Sequence, residues 1–558
     1  MVELPIISLN KADLLSLVGK DLSFSELEDL LTLMKCELES SNEEEIIVEV
    51  TSDRPDLFSA EGMSRAVRNY LGTGSFYNYR KHPGPPIELI VSESVSSVRP
   101  MIVAAAIRGV SLNEEALRQI MQLQEKLHNT YGSNRRKASI GVYDLDKISP
   151  PLSYEARSPE EIRFMPLEHT SEMNGREILE LTPKGKEYGD IISKSPLYPL
   201  LLDSKGKVLS MPPIINSEET RVSETTTNLL IDVTGLDMRS ISICLNIMAT
   251  SALERGGSLQ SVEVKYKDKT LRTPIFAESF QDIDLARARE ISGLDLAISE
   301  VDSLLKRMGY ETEVLHDGAI RAKIPPYRVD ILHEVDLIED VMMAYGLNRV
   351  VPLFPRVHTI GKPLEGSRLR KRVRDLMIGM GFIEVATYVL SSRDLMVTRP
   401  MLQERPLVEV VKPVSSEYAV LRDMLLPKLL GFMSANAHVD YPQRIFEYGP
   451  AVIVENGSPK MVYHLGTVAS DACVSFEEIQ AVASSLFKNL SKEVEFKKKS
   501  SNLFIDGRVA SINIDGKEIG ILGEIHPQIL VNFGLFNPAV AMEVDFSKLM
   551  YLESLFRG

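Results

Sequence analysis

The alternation of hydrophobic and polar positions divides the chain into four segments. Residues 44–50, EEIIVEV, alternate as a strand does and predict a strand that ends at the polar run TSDRPDLFSAEG. Residues 99–110, RPMIVAAAIRGV, predict a buried strand. Residues 113–128 predict a helix that Asn113 caps, with Leu117, Ile120, Met121 and Leu127 on one face. Stretches rich in Pro, Gly or polar residues separate the segments. The predicted domains are 1–80, 86–270, 272–349 and 352–558.

The third segment predicts a small compact domain. Ser299 and Asp302 form a capping box that predicts the start of a helix, and Gly309 predicts its end. The strings YETEVL and AIRAKI, joined by HDG, then predict a β-hairpin before a second helix. Helix, hairpin and helix together outline a winged-helix-like domain.

The fourth segment alternates helices with strand patterns. Residues 367–381 predict a helix with one apolar face, and Asp515-Gly516 predicts the turn of a hairpin. The strings that predict strands are FIEVATYVL, LVEVV, RIFEYGPAVIV, MVYHLGTVA and VASINIDGKEIGILGEI. Since few of them form βαβ units, we expect a mostly antiparallel sheet flanked by helices. The whole chain is therefore predicted to be an α+β multidomain protein with an α/β second domain.

Composition is typical of a soluble globular protein. The 558 residues are 44% hydrophobic and 25% charged, and the formal net charge is −15. Proteins that coat nucleic acid are usually basic, so any such contact here requires local patches or a partner chain. The longest apolar run, Met101 to Ile107, is far shorter than the ~20 residues of a membrane helix. With no secretory pattern and only three isolated cysteines, we expect a cytoplasmic protein without a membrane partner.

An acidic cluster lies in residues 325–346, PPYRVDILHEVDLIEDVMMAYG. A helix predicted over residues 335–345 has an apolar face of Ile338, Val341, Met342 and Tyr345. Three carboxylates lie on the opposite face, and a fourth precedes the helix. The four candidate metal ligands are Asp330, Asp336, Glu339 and Asp340. A hard cation such as Mg²⁺ would offset their repulsion, which costs a helix roughly 0.2–0.5 kcal/mol per pair. A solvated acidic face paired with Arg328 is the alternative that spacing alone leaves open.

Motifs in a fixed order along nearly the whole chain resemble one family. The strings TSDRPDLFSAEGMSRAV, PPYRVDILHEVDLIEDVMMAYGLNRV, KPVSSEYAVLRDMLLPKLL, RIFEYG and LGEIHPQIL resemble motifs of the phenylalanyl-tRNA synthetase beta subunit. RRKASIGVYDLDKI and LSMPPIINSEETRVSETTTNLLIDVTG resemble its archaeal and eukaryotic form. Lys412 and Met424 depart from the family pattern.

The resemblance implies a division of labour between two chains. It implies an alpha subunit that joins Phe to tRNA(Phe) with ATP, in an α₂β₂ assembly with this chain. Residues 352–558 would be a class II synthetase-like sheet that has lost catalysis, because no G-x-G-x-E-R string follows residue 440. The resemblance also implies that Asp330, Asp336, Glu339 and Asp340 bind Mg²⁺. Asp340 stands where the family usually has Glu.

The resemblance further implies an editing site in residues 86–270. An apolar pocket for Phe rejects an isostere with one extra hydroxyl by only about 10²-fold, so a second site that hydrolyses Tyr-tRNA is useful. The positions that match the family's editing pocket are Leu201, Ser210, Asp232 and Thr234. Each also has an ordinary interpretation: Leu201 in a core, Ser210 in a strand, and the other two in a turn before Gly235. No side chain suggests a nucleophile, and we expect a positioned water.

Two other functions remain open on the sequence. One is a non-catalytic RNA-binding or scaffold protein that has lost editing, and the other is an independent Mg²⁺ hydrolase that uses the acidic cluster. The basic runs at 135–137, 368–374 and 497–499 are candidate contacts to tRNA phosphates, with solvated faces as the alternative. Activity without a partner would favour the hydrolase, and loss of deacylation would favour the scaffold.

Overall fold

The structure is a computed structural model that describes residues 5–74, 84–316, 318–355, 357, 359–364 and 366–549. Residues 78–83 of the Pro- and Gly-rich stretch predicted to link the first two segments, 78–86, lie outside the described residues, as do Asp317 of the HDG turn and Arg356 and His358 of the similar stretch 350–363. The chain divides into two compact units, Met1–Phe354 and Pro355–Gly558. Both contain helices and sheets, so the protein is a mixed α+β multidomain chain.

The first unit begins with a small antiparallel sheet and three helices. Its elements are β1 (Ile6–Asn10), α1 (Lys11–Val18), α2 (Phe24–Thr32), β2 (Cys36–Ser41), β3 (Glu45–Val50) and α3 (Ala60–Tyr70). The strands pair in the order β1-β3-β2, and β3 confirms the strand predicted from EEIIVEV. The side chain of Ser59 accepts a hydrogen bond from the Gly62 amide and caps α3, which explains why the helix starts within the polar run.

A ten-stranded sheet follows in the same unit. The elements are β4 (Ile87–Val91), β5 (Met101–Arg108), α4 (Glu114–Asn129), β6 (Ala138–Asp144), β7 (Leu152–Arg157), β8 (Arg163–Phe164), β9 (Met173–Asn174), α5 (Gly175–Leu181), α6 (Pro183–Tyr188), β10 (Tyr198–Leu202), β11 (Val208–Met211), β12 (Ile215–Asn216), β13 (Asn228–Gly235), α7 (Met238–Leu253), β14 (Ser258–Lys265) and β15 (Thr270–Thr273). The strand order is β12-β11-β10-β7-β4-β14-β5-β13-β6, with β15 paired to β14 and β8 paired separately to β9.

The topology of this sheet differs from the α/β domain predicted from the sequence. Only the pairs β4–β7 and β4–β14 are parallel, and the other pairs are antiparallel. A buried strand followed by a helix resembles the start of a βαβ unit. Here, however, β5 and β6 pair on opposite sides of β13, and both run antiparallel to it.

The two faces of the sheet have different roles. Alternate residues of β5, β13 and β6 pack against α4 and α7 in one core, which contains Val103, Ile140 and Ile231. Residues between them face the opposite side, where Ala104, Tyr143 and other buried residues form a second core. Register places Asp232 beside Gly141 and Ala104, so the carboxylate belongs to the second face.

Helix α4 begins as predicted, but the residues on its buried face differ from those predicted. The Asn113 side chain accepts a hydrogen bond from the Ala116 amide and caps it. The prediction placed Leu117, Ile120, Met121 and Leu127 on one inward face. Ile120 and Leu127 are buried, whereas Met121 is 50% exposed. Buried Gln119, Gln124 and His128 take the remaining inward positions, because their polar groups find partners there.

The last part of the first unit is a three-stranded sheet with helices. Its elements are β16 (Ser279–Asp284), α8 (Leu285–Ser292), α9 (Ile298–Arg307), β17 (Glu311–Val314), β18 (Ala319–Ile324) and α10 (Glu334–Tyr345). The hairpin β17–β18 is confirmed, and β16, which the sequence patterns missed, pairs with β18. The predicted cap at Ser299 is wrong: α9 starts earlier, and Glu300 accepts a hydrogen bond from the Ala297 amide.

The second unit is a seven-stranded sheet with helices on both faces. Its elements are α11 (Ser367–Gly379), β19 (Ile383–Glu384), β20 (Leu390–Ser391), β21 (Val420–Leu421), α12 (Leu426–Ala435), β22 (Gln443–Glu455), β23 (Ser458–Ser470), α13 (Phe476–Asn489), β24 (Glu495–Lys498), β25 (Phe504–Ile514), β26 (Lys517–Ile525), α14 (Pro527–Asn532) and β27 (Ala539–Asp545). The order is β19-β22-β23-β27-β26-β25-β24, antiparallel except for β19–β22.

Three of the five strand strings predicted for the second unit are confirmed, whereas FIEVATYVL forms only the two-residue strands β19 and β20, which lie in different sheets. Asp515 and Gly516 both have positive φ, which is the geometry expected of a two-residue hairpin turn. The strand predicted from LVEVV is wrong, since Glu409 makes only an isolated bridge to Val420. Within the described ranges, no helix is long and apolar enough to cross a membrane.

Candidate functional site

A cavity of about 280 Å³ opens beside β6, the last strand of the ten-stranded sheet. Helix α4 forms one wall with Leu117, Ile120 and Met121, and the chain from Pro212 through β12 forms another. The exposed Met121 that departs from the predicted helix face therefore has a place: it lies in the cavity wall. The site is largely apolar and concave, as small-ligand sites usually are.

Side chains bind the backbone of β6 along the edge where none of the other described strands pairs with it. Gln124 Nε2 donates to the carbonyl oxygen of Ile140 at 2.8 Å, and His128 Nε2 accepts from the Ile140 amide at 2.8 Å. Asn216 Nδ2 donates to the Val142 carbonyl at 3.3 Å. An unpaired strand edge otherwise invites another strand, so these three side chains keep the edge open to the cavity.

Three polar side chains meet in the lining of the cavity. Tyr143 Oη lies 2.5 Å from Asp232 Oδ1 and 2.8 Å from Ser210 Oγ. Gly141 makes room for them, because a Cβ at that position would lie 2.0 Å from Tyr143 Oη and 2.3 Å from Asp232 Oδ1. Adjacent strands β6 and β13 and the nearby β11 thus place one phenol, one carboxylate and one hydroxyl together.

Burial dominates the electrostatics of this cluster. It raises the pKa of Asp232 to about 7, although the hydrogen bond from Tyr143 and the charge of Arg99 act to lower it. Burial and the neighbouring carboxylate raise the pKa of Tyr143 well above its usual value. A carboxylate whose pKa is close to neutrality, in a cavity, is a candidate functional group.

Charged residues form the outer part of the lining. Arg135 Nη2 donates to Glu125 Oε1 at 2.7 Å, and Arg135 Nη1 donates to the carbonyl oxygens of Pro213 and Ile214. Burial would raise the pKa of Glu125, but His128 and Arg135 lower it to about 2. Arg135 therefore ties α4 to the opposite wall, and Glu125 remains ionised.

The four predicted editing residues do not share one environment. Ser210 and Asp232 line the cavity, whereas Leu201 and Thr234 lie outside its lining. Leu201 is fully buried in the second core and pairs with Ser210 across β10 and β11. Thr234 Oγ1 accepts a hydrogen bond from Nε of buried Arg99 at 2.9 Å. Leu201 therefore contributes to the packing behind the cavity lining, and Thr234 accepts a hydrogen bond that holds Arg99 in place.

Tyr143 and Gly141 were missed at the sequence level. Both lie in RRKASIGVYDLDKI, a string that carried the family resemblance. A glycine two positions before a tyrosine in a buried strand puts both on one face of the sheet, which is the available signal. The partner Asp232 is 89 residues away from Tyr143 in the chain, so spacing could not join them.

The acidic cluster contains a buried ion pair network. Arg328 donates to both oxygens of Asp330, at 2.8 and 2.7 Å, and to Asp340 Oδ2 at 2.8 Å. Tyr310 Oη donates to the same oxygen of Asp340 at 2.5 Å. Asp340, predicted on the solvent face of α10, is 1% exposed. The helix is rotated from the predicted orientation because buried Leu337 and Ala344, absent from the predicted apolar face, bring this carboxylate inward.

The other two predicted ligands have separate partners. Asp336 Oδ2 accepts from the amides of Leu332 and His333, at 2.7 Å each, and so caps the start of α10. Glu339 pairs with Lys35 at 2.9 Å. Among the described residues, no group of three or more His, Cys, Asp or Glu is placed to hold a metal ion. The four carboxylates therefore do not fit one closed metal centre built by this chain.

The RIFEYG string of the second unit carries another buried ion pair. Arg422 Nη2 donates to Glu447 Oε1 at 2.7 Å, and Arg422 Nε donates to the Pro450 carbonyl at 2.8 Å. Thr387 Oγ1 accepts from Arg422 Nη1 and donates to Glu447 Oε2. These contacts make Arg422 a structural cation that joins β22 to the preceding loop.

Only some residues of the predicted basic runs are free for phosphate contacts. Arg135 of the first run is buried in the cavity wall, and Leu369 and Val373 of the second are core residues of α11. Lys497 and Lys498 of the third run are exposed on β24, at the edge of the seven-stranded sheet, although Lys497 pairs with Glu495, and Lys499 follows the strand and pairs with Glu518.

Family models match most of the chain in three parts. The model described as "B3/4 domain" matches residues 120–270, and "tRNA synthetase B5 domain" matches residues 281–347. "Phenylalanyl tRNA synthetase beta chain CLM domain" matches residues 352–546. The cavity beside β6 thus lies in the first match and the acidic cluster in the second.

Relatives cover nearly the full length. The phenylalanine–tRNA ligase beta subunit of Pyrococcus furiosus is 41% identical over 557 residues, which cover 98% of this chain and 100% of the relative. That of Thermococcus onnurineus is 40% identical and covers 99% and 100%. The crystal structure of an N-terminal fragment of the phenylalanyl-tRNA synthetase beta subunit from Pyrococcus horikoshii matches with a TM-score of 0.59 and 41% identity, over 61% of this chain and 100% of the fragment.

Proposed function

Because the chain belongs to the family of phenylalanine–tRNA ligase beta subunits, we propose that it is the subunit that hydrolyses mischarged Tyr-tRNA. The family forms aminoacyl-tRNA with ATP and metal ions, and the name beta subunit implies an alpha partner and tRNA. Attachment of Phe belongs to the alpha subunit in this proposal. The observation that carries the editing function is the cavity beside β6 with buried Asp232 in its lining.

The chemistry of the cavity supports a site that accepts Tyr and refuses Phe. A phenolic hydroxyl buried without a partner costs about 1–3 kcal/mol, and an empty polar site costs a similar amount when Phe enters. Apolar side chains such as Ile120 and Val142 suit the ring, while Asp232 and Ser210 are polar groups that suit the hydroxyl. An ionised carboxylate accepts about four hydrogen bonds, so donation by Tyr143 leaves room for the substrate.

The test is the decay of preformed Tyr-tRNA(Phe) with the assembled enzyme. Asp232→Ala should slow hydrolysis at least about ten-fold, since a charge-assisted hydrogen bond is roughly twice as strong as a neutral one. Phe charging should stay near the wild-type rate and serves as the folding control. Decay at the wild-type rate would remove Asp232 from the site. A wild-type enzyme that leaves Tyr-tRNA intact would favour a scaffold that has lost editing.

The remaining parts of the proposal concern architecture and assembly. We place the editing domain at 86–270, between an N-terminal α+β domain at 1–80 and a small winged-helix-like domain at 272–349. Residues 352–558 serve as a class II synthetase-like domain without catalysis, supported by the antiparallel seven-stranded sheet. The proposed assembly is an α₂β₂ enzyme that lies in the cytoplasm and binds tRNA(Phe). Mass measurement of the co-purified complex tests the stoichiometry.

In this proposal, magnesium is bound by the assembled enzyme and not by this chain alone. Arg328 already forms ion pairs with both Asp330 and Asp340, whereas half-buried Asp336 and exposed Glu339 lie outside this network. Binding by these two requires further ligands from outside the chain, because Mg²⁺ prefers about six oxygens. The prediction that all four residues bind Mg²⁺ therefore applies only if Arg328 moves.

A double variant tests the metal separately from editing. Asp336→Asn with Glu339→Gln should lower Mn²⁺ or Mg²⁺ binding by the alpha–beta complex and weaken subunit association in Mg²⁺. Glu313→Gln, at an exposed carboxylate of the same small domain, is the matched control. Unchanged ion binding and unchanged association would leave the acidic face as a solvated surface.

A further inference from the structure

The tyrosine in the lining of the cavity has a role in the proposed editing site. We infer that Tyr143 is a positioning residue: its hydroxyl holds the Asp232 carboxylate in the orientation that receives the hydroxyl of a tyrosyl ester. This inference rests on the proposed function and deepens it. Its geometric basis is the contact of Tyr143 Oη with Asp232 Oδ1 at 2.5 Å and with Ser210 Oγ at 2.8 Å.

The direction of the hydrogen bonds follows from the number of protons. The Tyr143 hydroxyl carries one proton, and the carboxylate is the stronger acceptor, so we assign the proton to Asp232. Ser210 Oγ then donates its own proton to Tyr143 Oη. In this series of hydrogen bonds, Ser210 on β11 donates to Tyr143 on β6, and Tyr143 donates to Asp232 on β13. Each donor therefore has an acceptor.

Tyr143 is fixed in this position by its surroundings. The side chain is 1% exposed and belongs to the second core, together with Ala104 and Leu230. Gly141 lies directly beneath the hydroxyl, where even a Cβ would approach to 2.0 Å. A phenol that cannot move gives the carboxylate a fixed direction, as specific recognition requires.

The same hydrogen bond acts on the charge of Asp232. Burial raises the pKa of this carboxyl to about 7, and the bond from Tyr143 and the charge of Arg99 oppose the rise. Arg99 is buried before β5, and Tyr154 on β7 is the other titratable group near the carboxylate. Without the Tyr143 hydroxyl, the ionised form loses a donor, so a larger share of the enzyme is protonated at neutral pH.

Tyr154 provides a matched control. It is fully buried in the same core, and its hydroxyl donates to the backbone carbonyl of Arg99 at 2.8 Å, outside the lining of the cavity. Tyr143→Phe and Tyr154→Phe each remove one buried hydroxyl and keep the ring. A role in packing alone would make the two variants alike, whereas a positioning role separates them.

The experiment is the pH profile of Tyr-tRNA(Phe) hydrolysis by the assembled enzyme, after subtraction of the decay without enzyme. Tyr143→Phe should move the midpoint of the rate about one to two pH units upward and slow hydrolysis at least about five-fold at pH 7. Tyr154→Phe should keep the wild-type midpoint. Phe charging should be unchanged in both.

Several outcomes overturn the inference. A Tyr143→Phe profile equal to the wild type does so, and so does an equal rate loss in both variants without a shifted midpoint. If Tyr143→Phe does not fold, 3-fluorotyrosine at position 143 retains the shape and donates more strongly, and it should move the midpoint downward. No shift there also overturns the inference. Absence of hydrolysis by the wild type would instead refute the proposed function.

Discussion

At the scale of single residues, Asp232 is a buried acid whose ionised form destabilises the folded chain and which the proposed editing function uses. Its pKa rises from 3.8 to about 7 in the folded chain, so the folded state binds a proton that the unfolded state has released. The stability from this protonation is complete below about pH 3.8 and is lost as pH rises through about 7.

Asp232→Asn should therefore stabilise the protein at alkaline pH while it slows Tyr-tRNA hydrolysis. The amide oxygen still accepts the proton of Tyr143 but carries no buried charge, and we expect a gain of roughly 2–4 kcal/mol above pH 8. Thermal unfolding at about pH 6 and pH 8.5 measures it, and the advantage over the wild type should grow with pH. A stability difference between the two proteins that does not change with pH would show that ionisation of Asp232 does not destabilise the folded state.

Other residue assignments show where sequence reasoning stops. Ser210 and Asp232 were named from a family resemblance, and both line the cavity. Leu201 and Thr234 came from the same matching but lie behind it, since a motif records position in the chain and not orientation. Tyr143 required the register of β6 against β13, which no local pattern contains.

At the scale of elements, edge strand β6 and helix α4 act as a pair. His128 accepts from the Ile140 amide through Nε2, and it faces Glu125 and Arg135. Burial lowers its pKa from 6.5 to about 4, so the folded state excludes a proton that the unfolded state binds. This stability is complete above about pH 6.5 and is lost as pH falls to about 4.

His128→Gln should flatten the acid limb of the stability profile. The amide oxygen of Gln can accept from Ile140 but does not titrate, whereas the wild type should lose up to about 3 kcal/mol between pH 6.5 and 4. Unfolding midpoints at about pH 7 and pH 4.5 provide the comparison. Equal losses in the two proteins would show that other groups control the acid limb.

Gly141 on β6 sets the space between strand and cavity. Gly141→Ala would press a methyl group against Tyr143 and Asp232, and such overpacking typically costs about 1–3 kcal/mol. We expect loss of Tyr-tRNA hydrolysis with Phe charging retained. Gly189→Ala is the control, because its Cβ would meet Leu179 at an ordinary 3.5 Å. Hydrolysis at the wild-type rate in Gly141→Ala would show that the cluster tolerates displacement.

Helices and strands were predicted best where the hydrophobic residues of a segment follow one regular spacing. Burial alternates strictly along β3, and the β25–β26 hairpin turns at Asp515-Gly516 as the pattern indicates. α10 was located but rotated, because Asp340 is buried where Arg328 forms an ion pair with its carboxylate and Tyr310 donates a hydrogen bond to it. LVEVV has the composition of a strand, yet Val411 is 94% exposed in a loop.

At the scale of the whole molecule, the two compact units correspond to different chemistry. The cavity and its buried carboxylate lie within Met1–Phe354, while the seven-stranded sheet lies within Pro355–Gly558. In the second unit, the buried Arg422 is already bound by Glu447, Thr387 and the Pro450 carbonyl. These contacts occupy the guanidinium within the protein and join β22 to the chain at Thr387.

The lone chain should accordingly show no Phe-dependent pyrophosphate exchange. The sequence lacks a G-x-G-x-E-R string after residue 440, which in catalytic class II chains supplies an arginine for ATP. Adding the alpha subunit should restore exchange, and it should do so equally for wild-type, Asp232→Ala and Tyr143→Phe chains, because the two chemistries use different sites. Exchange by rigorously purified chain alone would place aminoacyl transfer on this subunit. Loss of exchange in the editing variants would instead mean that the editing site supports the fold on which the alpha subunit depends.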